Sequence, residues 1–289
     1  MRLLVTGAAG KLGALTVGAL VRAGHEVRAT DTRFRSDLAA PLTPVNLLDE
    51  HGLHTLLEGC DALVHLGNHP NRFAGPSFQR LLAENTSMNA NAFGAALERG
   101  VRHIVFASSI QVMLASDGTR ADPRRMPYLP LDAHAPPDPG MNPYALSKLF
   151  AEEYLKVAAR EHPALSATAL RYPMLVTDAF GERFRANGGR VPSDILHLGE
   201  ATAHLTLDDG ARLIVHALER ARPGYRQFFP AQTLDVTNVG ARGLIERFYP
   251  NVPLRVPLER IEKLVENADL EHELGFTPSA RIQVQLLEG

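Results

Sequence analysis

Three glycines between residues 7 and 13 most strongly constrain how this 289-residue chain can fold. They follow the apolar segment Leu3-Leu4-Val5 and open a helical pattern that runs from Lys11 to Arg22. Gly7 permits a tight turn, Gly10 lets a pyrophosphate approach the backbone, and Gly13 allows the helix to pack closely on the strand. The helix N-terminus would face the phosphates with free N–H groups. A glycine-rich turn that binds nothing is the alternative. The run predicts dinucleotide contacts from Gly7, Ala9, Gly10, Lys11, Leu12 and Gly13.

Apolar segments and helical patterns alternate as far as residue 170. Strands are predicted at 3–5, 27–29, 62–66, 103–107 and 166–170, and helices at 11–22, 77–99 and 143–160. This alternation predicts an α/β fold with a doubly wound parallel sheet of the Rossmann type and a smaller C-terminal substrate lobe. We expect residues 1–172 to form the cofactor domain, with 204–240 returning to it. Residues 173–203 and 241–289 would form the substrate-binding lobe.

In two segments the apolar residues follow neither a helical nor a strand period. Residues 180–199 carry glycines and arginines and are predicted as a loop, with Arg183 and Arg185 as candidates to hold an acidic substrate. Residues 114–141 contain six prolines and are predicted to form a long loop that could act as a lid.

An aspartate closes the second predicted strand, 24 residues after Gly7. The carboxylate of Asp31 can accept hydrogen bonds from both hydroxyls of the adenosine ribose and would repel a 2′-phosphate, which favours NAD over NADP. Arg33 and Arg35 could instead pair with such a phosphate. A solvated loop aspartate is the alternative reading.

A serine, a tyrosine and a lysine form a candidate catalytic set. Tyr144 and Lys148 are four residues apart in a predicted helix, so they share one face. An ammonium beside a phenol lowers the tyrosine pKa and suits it to acid–base work. Ser109 follows the strand at 103–107 and could hydrogen-bond the reacting oxygen. The set predicts hydride chemistry with a nicotinamide cofactor.

These pieces together resemble the extended short-chain dehydrogenases/reductases, the NAD-dependent epimerase/dehydratase family. The resemblance implies that Ser109 is the catalytic Ser/Thr, Tyr144 the acid/base and Lys148 the ribose-binding lysine. It also implies that Asn85 lies near the nicotinamide ribose and that Asn46, in place of an aspartate, contacts adenine. Further implied cofactor contacts are Leu47, Leu66, Gly67, Asn68, Ala107, Tyr144, Lys148 and Tyr172.

Departures from the family pattern narrow the expected chemistry. The acidic pair that follows the catalytic residue in sugar dehydratases is Ile110-Gln111 here, and the diphosphate-facing asparagine is replaced by Pro173-Met174. We therefore favour an NAD-dependent dehydrogenase acting on a free sugar or sugar acid. A nucleotide-sugar epimerase and a non-catalytic NAD-binding regulator are the alternatives. The expected substrate contacts are Asn68, Ser109, Gln111, Arg183 and Arg185.

The composition indicates which binding partners and which cellular compartment to expect. A formal net charge of −2 creates no field that would draw nucleic acid or anionic lipid. No apolar run approaches the ~20 residues that cross a bilayer, and residues 1–7 do not resemble a signal peptide. The single cysteine, Cys60, suits a reducing compartment, so we expect a soluble cytoplasmic protein. His65 and His69 lack the further ligands of a metal site, and none is expected. We expect a homodimer formed through the helices at 77–99 and 143–160.

Overall fold

The computed structural model describes residues 1–70, 77–114, 122–186, 188–279 and 282–287. It divides into two compact units. The first unit comprises Met1–Ser108, Pro143–Leu170 and Gly210–Gln227. The second unit comprises Ser109–Asn142, Arg171–Asp209 and Phe228–Gly289.

Strands and helices alternate through most of the chain. The strands are β1 (Arg2–Thr6), β2 (Glu26–Asp31), β3 (Leu42–Pro44), β4 (Ala62–His65), β5 (His103–Ser109), β6 (Ser166–Tyr172), β7 (Met174–Val176), β8 (Arg190–Val191), β9 (Ala203–Thr206), β10 (Gly224–Phe228), β11 (Gln232–Thr233), β12 (Asp235–Val236) and β13 (Gln283–Leu286). The α-helices are α1 (Lys11–Arg22), α2 (Glu50–Leu57), α3 (Phe78–Glu98), α4 (Pro143–Glu161), α5 (Asp178–Ala186), α6 (Leu207–Glu219), α7 (Gly240–Phe248) and α8 (Ala268–Leu274).

A seven-stranded sheet organises the first unit. Its strand order is β10-β6-β5-β4-β1-β2-β3, and β1 pairs in parallel with both β2 and β4. The order therefore reverses at β1, which is where open parallel sheets bind ligands beyond the carboxyl ends of their strands. Leu4, Leu63, Phe93 and Phe106 belong to the apolar core between sheet and helices. These observations confirm the predicted doubly wound fold.

The second unit is built on two three-stranded sheets. One has the order β11-β9-β7 and the other β12-β13-β8. Its core includes Leu196, Phe229, Tyr249 and Leu264. The compact units do not follow the predicted lobes, because residues 109–142 cluster with the second unit. The assignment of one lobe to the cofactor and the other to the substrate stays a prediction.

Of the two segments predicted to be irregular, one is not: the loop prediction for 180–199 was wrong. Within 180–199, the structure has helix α5 and strand β8 in place of a continuous loop. The described part of the expected lid, residues 122–141, is packed into its own unit. Leu129 bridges Leu254, Leu131 bridges Val265, and both leucines are fully buried. Residues 122–141 contain no α-helix and no extended strand, as the loop prediction requires. The lid role stays a prediction, and residues 115–121 lie outside the described part of the chain.

Candidate active site

The glycine-rich turn forms a close junction between β1, α1 and the end of β4. Gly7 has a φ of +67°, and a Cβ there would lie 2.8 Å from the backbone of Gly67. A Cβ on Gly13 would lie 2.1 Å from the carbonyl oxygen of Gly7. Helix α1 begins after Gly10 without a side-chain cap and without an acidic residue in its first turn. Lys11 and Leu12 supply that turn, so this end of the helix suits an anion.

Asp31 is tied to the same turn. The Ala9 N–H donates to its Oδ2 at 3.1 Å and the Arg33 N–H donates to its Oδ1 at 3.0 Å. The Arg33 guanidinium lies 3.5 Å from the Asp31 carboxylate and is 71% exposed. Arg35 is held by Asp37 through two hydrogen bonds of 2.6 and 3.0 Å. The carboxylate is thus fixed beside the turn, as the predicted ribose contact requires.

Two predicted cofactor contacts, Asn46 and Leu47, lie after β3. Asn46 is exposed, and its Oδ1 accepts a hydrogen bond from the Leu48 N–H at 3.0 Å. Leu47 is buried, and its Cδ1 would lie 2.6 Å from a Cβ on Gly67. Asn91 of α3 donates to the Leu47 carbonyl at 3.1 Å. Leu47 and Gly67 are therefore in close contact.

The loop after β4 is anchored to α3. Thr6 Oγ1 accepts hydrogen bonds from the N–H groups of Leu66 and Gly67 at 3.2 and 3.1 Å. Asn85 Oδ1 accepts from the His69 N–H at 2.9 Å. Asn85 Nδ2 also donates to Ser147 Oγ at 3.3 Å, which connects α3 to α4. The structure thus brings Asn85 and the β4 loop together.

Lys148 lies among residues of three elements in the first unit. Its Nζ donates to Asn68 Oδ1 at 2.6 Å and to the Ala107 carbonyl at 2.7 Å. The Nζ lies 5.5 Å from the centre of the Tyr144 ring and 4.6 Å from that of Phe106. Lys148 is only 3% exposed. This burial lowers the pKa of Lys148 to about 7, and the nearby Glu152 carboxylate opposes the shift.

Ser109 ends β5 and is the first residue of the second unit. Its Oγ accepts a hydrogen bond from the Gln111 N–H at 3.2 Å, and Gln111 Oε1 accepts one from Asn142 Nδ2 at 3.0 Å. The preceding residue, Ser108, points into the first unit and donates to Glu152 Oε1 at 2.5 Å. Alternation along the strand thus separates the roles of the two serines.

The end of β6 is buried. Burial raises the pKa of the Tyr172 phenol, so this side chain stays neutral. The preceding residue, Arg171, is also buried. Its guanidinium donates to the carbonyls of Ala133 and Ala135 at 2.9 and 3.4 Å. This arginine therefore holds a neighbouring segment of its own unit in place.

The arginines predicted to bind the substrate lie on a helix. Arg183 and Arg185 are residues of α5, and the predicted loop there was wrong. The side chain of Arg185 is exposed. Both remain candidates for a contact with an acidic substrate, since a helix presents arginines as well as a loop does.

Sequence reasoning did not assign roles to His65, Asn89 and Glu152, although all three are buried near Lys148. A signal was present for Asn89, which follows Asn85 by four residues and so shares its helix face. Among the described residues, no group of three His, Cys, Asp or Glu side chains could hold a metal ion. The described helices include none with the length and hydropathy needed to span a bilayer.

Known proteins resemble this chain in sequence and in fold. A model of the NAD dependent epimerase/dehydratase family matches residues 3–228. The chain belongs to this family. The predicted family is therefore confirmed, and NAD is the cofactor that the turn, the open end of α1 and Asp31 fit.

Several relatives carry the names of enzymes that act on sugars. A uronate dehydrogenase of Pseudomonas putida is 35% identical over 155 residues, which are 53% of each chain. An L-arabinose 1-dehydrogenase (NAD(P)(+)) of Haloferax volcanii is 34% identical over 181 residues, 61% of this chain and 68% of the relative. A UDP-glucose 4-epimerase of Mus musculus is 29% identical over 195 residues, 59% of this chain and 52% of the relative. The chain thus spans about half the length of the uronate dehydrogenase and the epimerase that it matches.

Solved structures share the fold. MoeE5 in complex with UDP-glucuronic acid and NAD has a TM-score of 0.68 and 23% identity, covering 97% of this chain and 94% of that chain. A mutated uronate dehydrogenase has a TM-score of 0.65 and 23% identity, covering 97% and 82%. At this identity the likeness concerns the fold.

Proposed function

We propose that the protein is an NAD-dependent dehydrogenase of the epimerase/dehydratase family that oxidises a hydroxyl-bearing carbon of a free sugar or sugar acid. The observation that carries the proposal is the placement of Lys148. Its buried Nζ is held by Asn68 and Ala107 and lies 5.5 Å from the centre of the Tyr144 ring. A lysine ammonium held beside a phenol favours the phenolate and so prepares tyrosine for proton transfer.

The proposed mechanism assigns one task to each side chain. Bound NAD would supply the acceptor for the hydride that leaves the substrate carbon. Tyr144, as phenolate, takes the proton of the substrate hydroxyl. Lys148 stabilises the phenolate and hydrogen-bonds the ribose, and Ser109 hydrogen-bonds the substrate oxygen as its charge changes. Asp31 would accept hydrogen bonds from the adenosine ribose.

Two departures from the family sequence pattern, and the names of two relatives, support a free sugar or sugar acid as the substrate. Ile110-Gln111 and Pro173-Met174 replace the acidic pair of dehydratases and the diphosphate-facing asparagine. The uronate and L-arabinose dehydrogenases among the relatives act on sugars without a nucleotide. We propose that Gln111, Arg183 and Arg185 contact the substrate. The UDP-glucose 4-epimerases among the relatives support a nucleotide-sugar epimerase as the second candidate.

A turnover screen tests the proposal. Purified protein is incubated with NAD or NADP and with aldoses, uronates or nucleotide-sugars, and NADH or NADPH formation is followed by absorbance. Epimerisation without net reduction is detected by separating the sugar products. We expect a free aldose or uronate to be oxidised faster than any nucleotide-sugar. Exclusive turnover of nucleotide-sugars would replace the dehydrogenase with the epimerase, and binding of NAD without any turnover would favour the regulator.

Replacing Tyr144 with Phe tests the assigned base. We expect turnover to fall by at least ~10²-fold, the usual scale for the loss of a positioned acid or base. NADH affinity, measured by fluorescence titration, should stay within a few-fold because the ring is kept. Wild-type turnover in this variant would refute the mechanism.

We also propose a homodimer in a reducing compartment such as the cytoplasm. The proposal of a dimer is supported by three apolar residues that are exposed on α4, namely Phe150, Tyr154 and Val157. The compartment rests on the single cysteine, Cys60, which is buried and free.

A further inference from the structure

The polar side chains around Lys148 form one connected chain of hydrogen bonds inside the first unit. Lys148 Nζ donates to Asn68 Oδ1, and Asn68 Nδ2 donates to Asn89 Oδ1 at 2.9 Å. His65 Nε2 lies 2.9 Å from the same Asn89 oxygen, and His65 Nδ1 lies 2.8 Å from Thr6 Oγ1. Asn68 is half-buried, and the other four residues are buried. The chain thus runs from β1 to α4.

The direction of each bond follows from the first residue in the chain. Thr6 Oγ1 already accepts the N–H groups of Leu66 and Gly67, so its own hydroxyl hydrogen is available to His65 Nδ1. An Nδ1 that accepts requires the proton of a neutral imidazole to lie on Nε2, which then donates to Asn89. Burial lowers the pKa of His65 to about 3, which keeps the ring neutral.

The orientation of both amides is then determined. Asn89 must turn its oxygen toward His65 and Asn68, because both present N–H groups. Asn68 must in turn present its NH2 group to Asn89 and its oxygen to Lys148. A rotated Asn68 amide would place an N–H donor against the donor Nζ.

We propose that Asn68 is the residue that positions Lys148, and that Asn89 fixes the orientation of Asn68. Ala107 and Asn68 accept two of the three N–H groups of the ammonium, and among the described residues no further acceptor of Nζ is found, so one N–H would be available to a ligand. The role of Lys148 itself rests on the function proposed above. This proposal gives Asn68 a different role from the substrate contact expected from sequence.

Within the part of the chain that the structure describes, three titratable groups lie near Lys148. Glu152 and Tyr144 lie on its own helix, His65 lies on β4, and Asn85 and Asn89 on α3 are uncharged. An acceptor at Asn68 stabilises the ammonium relative to the amine. Removing the acceptor should therefore make Lys148 lose its proton at lower pH, and a carboxylate at the same place should do the opposite.

The experiment is an NMR titration of protein labelled with ¹³C-lysine. The chain has only four lysines, Lys11, Lys148, Lys156 and Lys263, so the spectrum is simple. The Lys148 signal is the one missing from Lys148→Arg. Its midpoint is compared among wild type, Asn68→Ala, Asn68→Asp, Asn89→Leu and Asn91→Ala, without cofactor. Asn91 is a matched control, because it is an α3 asparagine that bonds the Leu47 carbonyl outside the chain of hydrogen bonds.

We expect Asn68→Asp to raise the Lys148 midpoint by about one pH unit or more and Asn68→Ala to lower it by about one. Asn89→Leu should lower it as well, because the Asn68 amide becomes free to turn, and Asn91→Ala should leave it unchanged. The half-buried Asn68 site tolerates substitution better than Asn89, so the two Asn68 variants keep the test valid if Asn89→Leu fails to fold.

Shifts of the same sign in both Asn68 variants, or no shift, would overturn the proposal. The outcome is independent of turnover. Opposite shifts in a protein that oxidises no sugar would leave the positioning intact and reject the proposed function. If Tyr144→Phe loses activity but the Asn68 variants do not shift the Lys148 midpoint, the proposed function stands and the positioning role of Asn68 is rejected.

Discussion

Lys148 shows how burial at a single residue can tune a reactive group. The side chain is buried, yet both hydrogen-bond acceptors of its Nζ, the side chain of Asn68 and the carbonyl of Ala107, are uncharged. Burial without a directly bonded carboxylate disfavours the ammonium, which explains why the pKa falls to about 7. Burial therefore makes Lys148 lose its proton at a lower pH than an exposed lysine does.

The depressed pKa of Lys148 predicts how stability changes with pH. The unfolded chain keeps a lysine proton up to about pH 10.4, whereas the folded chain releases it near 7. Between these values the unfolded state binds more protons, so the free energy of unfolding falls as the pH drops from about 10.4 to about 7 and then levels off below 7. We subtract the free energy of unfolding of Lys148→Met from that of wild type. We expect this difference to increase by about 1 kcal/mol per pH unit from pH 7 upward. Urea unfolding at several pH values measures this, and parallel curves would contradict it.

Asp31 combines two roles that substitutions can separate. Its carboxylate accepts hydrogen bonds from the N–H groups of Ala9 and Arg33, and it would repel a 2′-phosphate. The exposed Arg33 beside it carries the opposite charge.

Replacing Asp31 with Asn removes the charge and keeps an acceptor, whereas Ala removes both. We expect Asp31→Asn to weaken the preference for NAD over NADP by roughly tenfold, since about 1.4 kcal/mol corresponds to tenfold. Asp31→Ala should in addition weaken NAD binding, because the turn loses its contact at Ala9. Titration of both cofactors gives the ratio. An unchanged ratio would mean that Arg33 or Arg35 determines the preference.

At the scale of elements, the start of α1 depends on the absence of a side chain at Gly13. A Cβ there would lie 2.1 Å from the Gly7 carbonyl oxygen, which is backbone and cannot move aside alone. Gly18 on the same helix differs, because its added Cβ would meet only the flexible end of Arg22 at 3.2 Å.

The pair Gly13→Ala and Gly18→Ala therefore tests the junction. We expect Gly13→Ala to lower the free energy of unfolding by about 1–3 kcal/mol, as overpacking does, and to weaken NAD binding. Gly18→Ala should be neutral or stabilising by up to about 1 kcal/mol, from helix propensity. Chemical denaturation and cofactor titration measure both effects. Equal losses in the two variants would show that the close packing at Gly13 has no special role.

Helix α5 shows where sequence patterns were insufficient. Its nine residues give only one apolar pair at helical spacing, Phe180 and Phe184, whose rings pack edge to face at 4.8 Å. A pair of this kind in a short, arginine-rich segment does not establish a period. The longer helices α1, α3 and α4 were predicted to within one residue at each end, because several turns repeat the pattern.

At the scale of the whole molecule, the sequence predicted the fold and the family but not the connections within the site. The glycine turn, Asp31 and the Tyr144–Lys148 pair are local patterns and could be read directly. The hydrogen bonds from Lys148 to Asn68 and from Thr6 to His65 join residues 80 and 59 positions apart. Such contacts depend on which strands become neighbours, and a single sequence does not contain that information in a local pattern.

The exposed apolar stripe on α4 supports the proposed assembly. Phe150, Tyr154 and Val157 follow one another at spacings of four and three residues, so they share a helix face, and they are 46, 37 and 47% exposed. Phe78 at the start of α3 is 46% exposed as well. Apolar residues arranged in a stripe rather than scattered are typical of a surface that a second protein covers.

We expect the protein to be a dimer in solution and Phe150→Glu to shift it toward the monomer, because a symmetric interface would bring two like charges together. Met141 provides the control, since it is also an exposed apolar residue but precedes α4, and Met141→Glu should leave the dimer intact. Light scattering at micromolar concentration gives the mass of each variant, and titration with NADH checks that the first unit remains folded. A monomeric wild type, or equal dissociation by both substitutions, would count against this face as the interface.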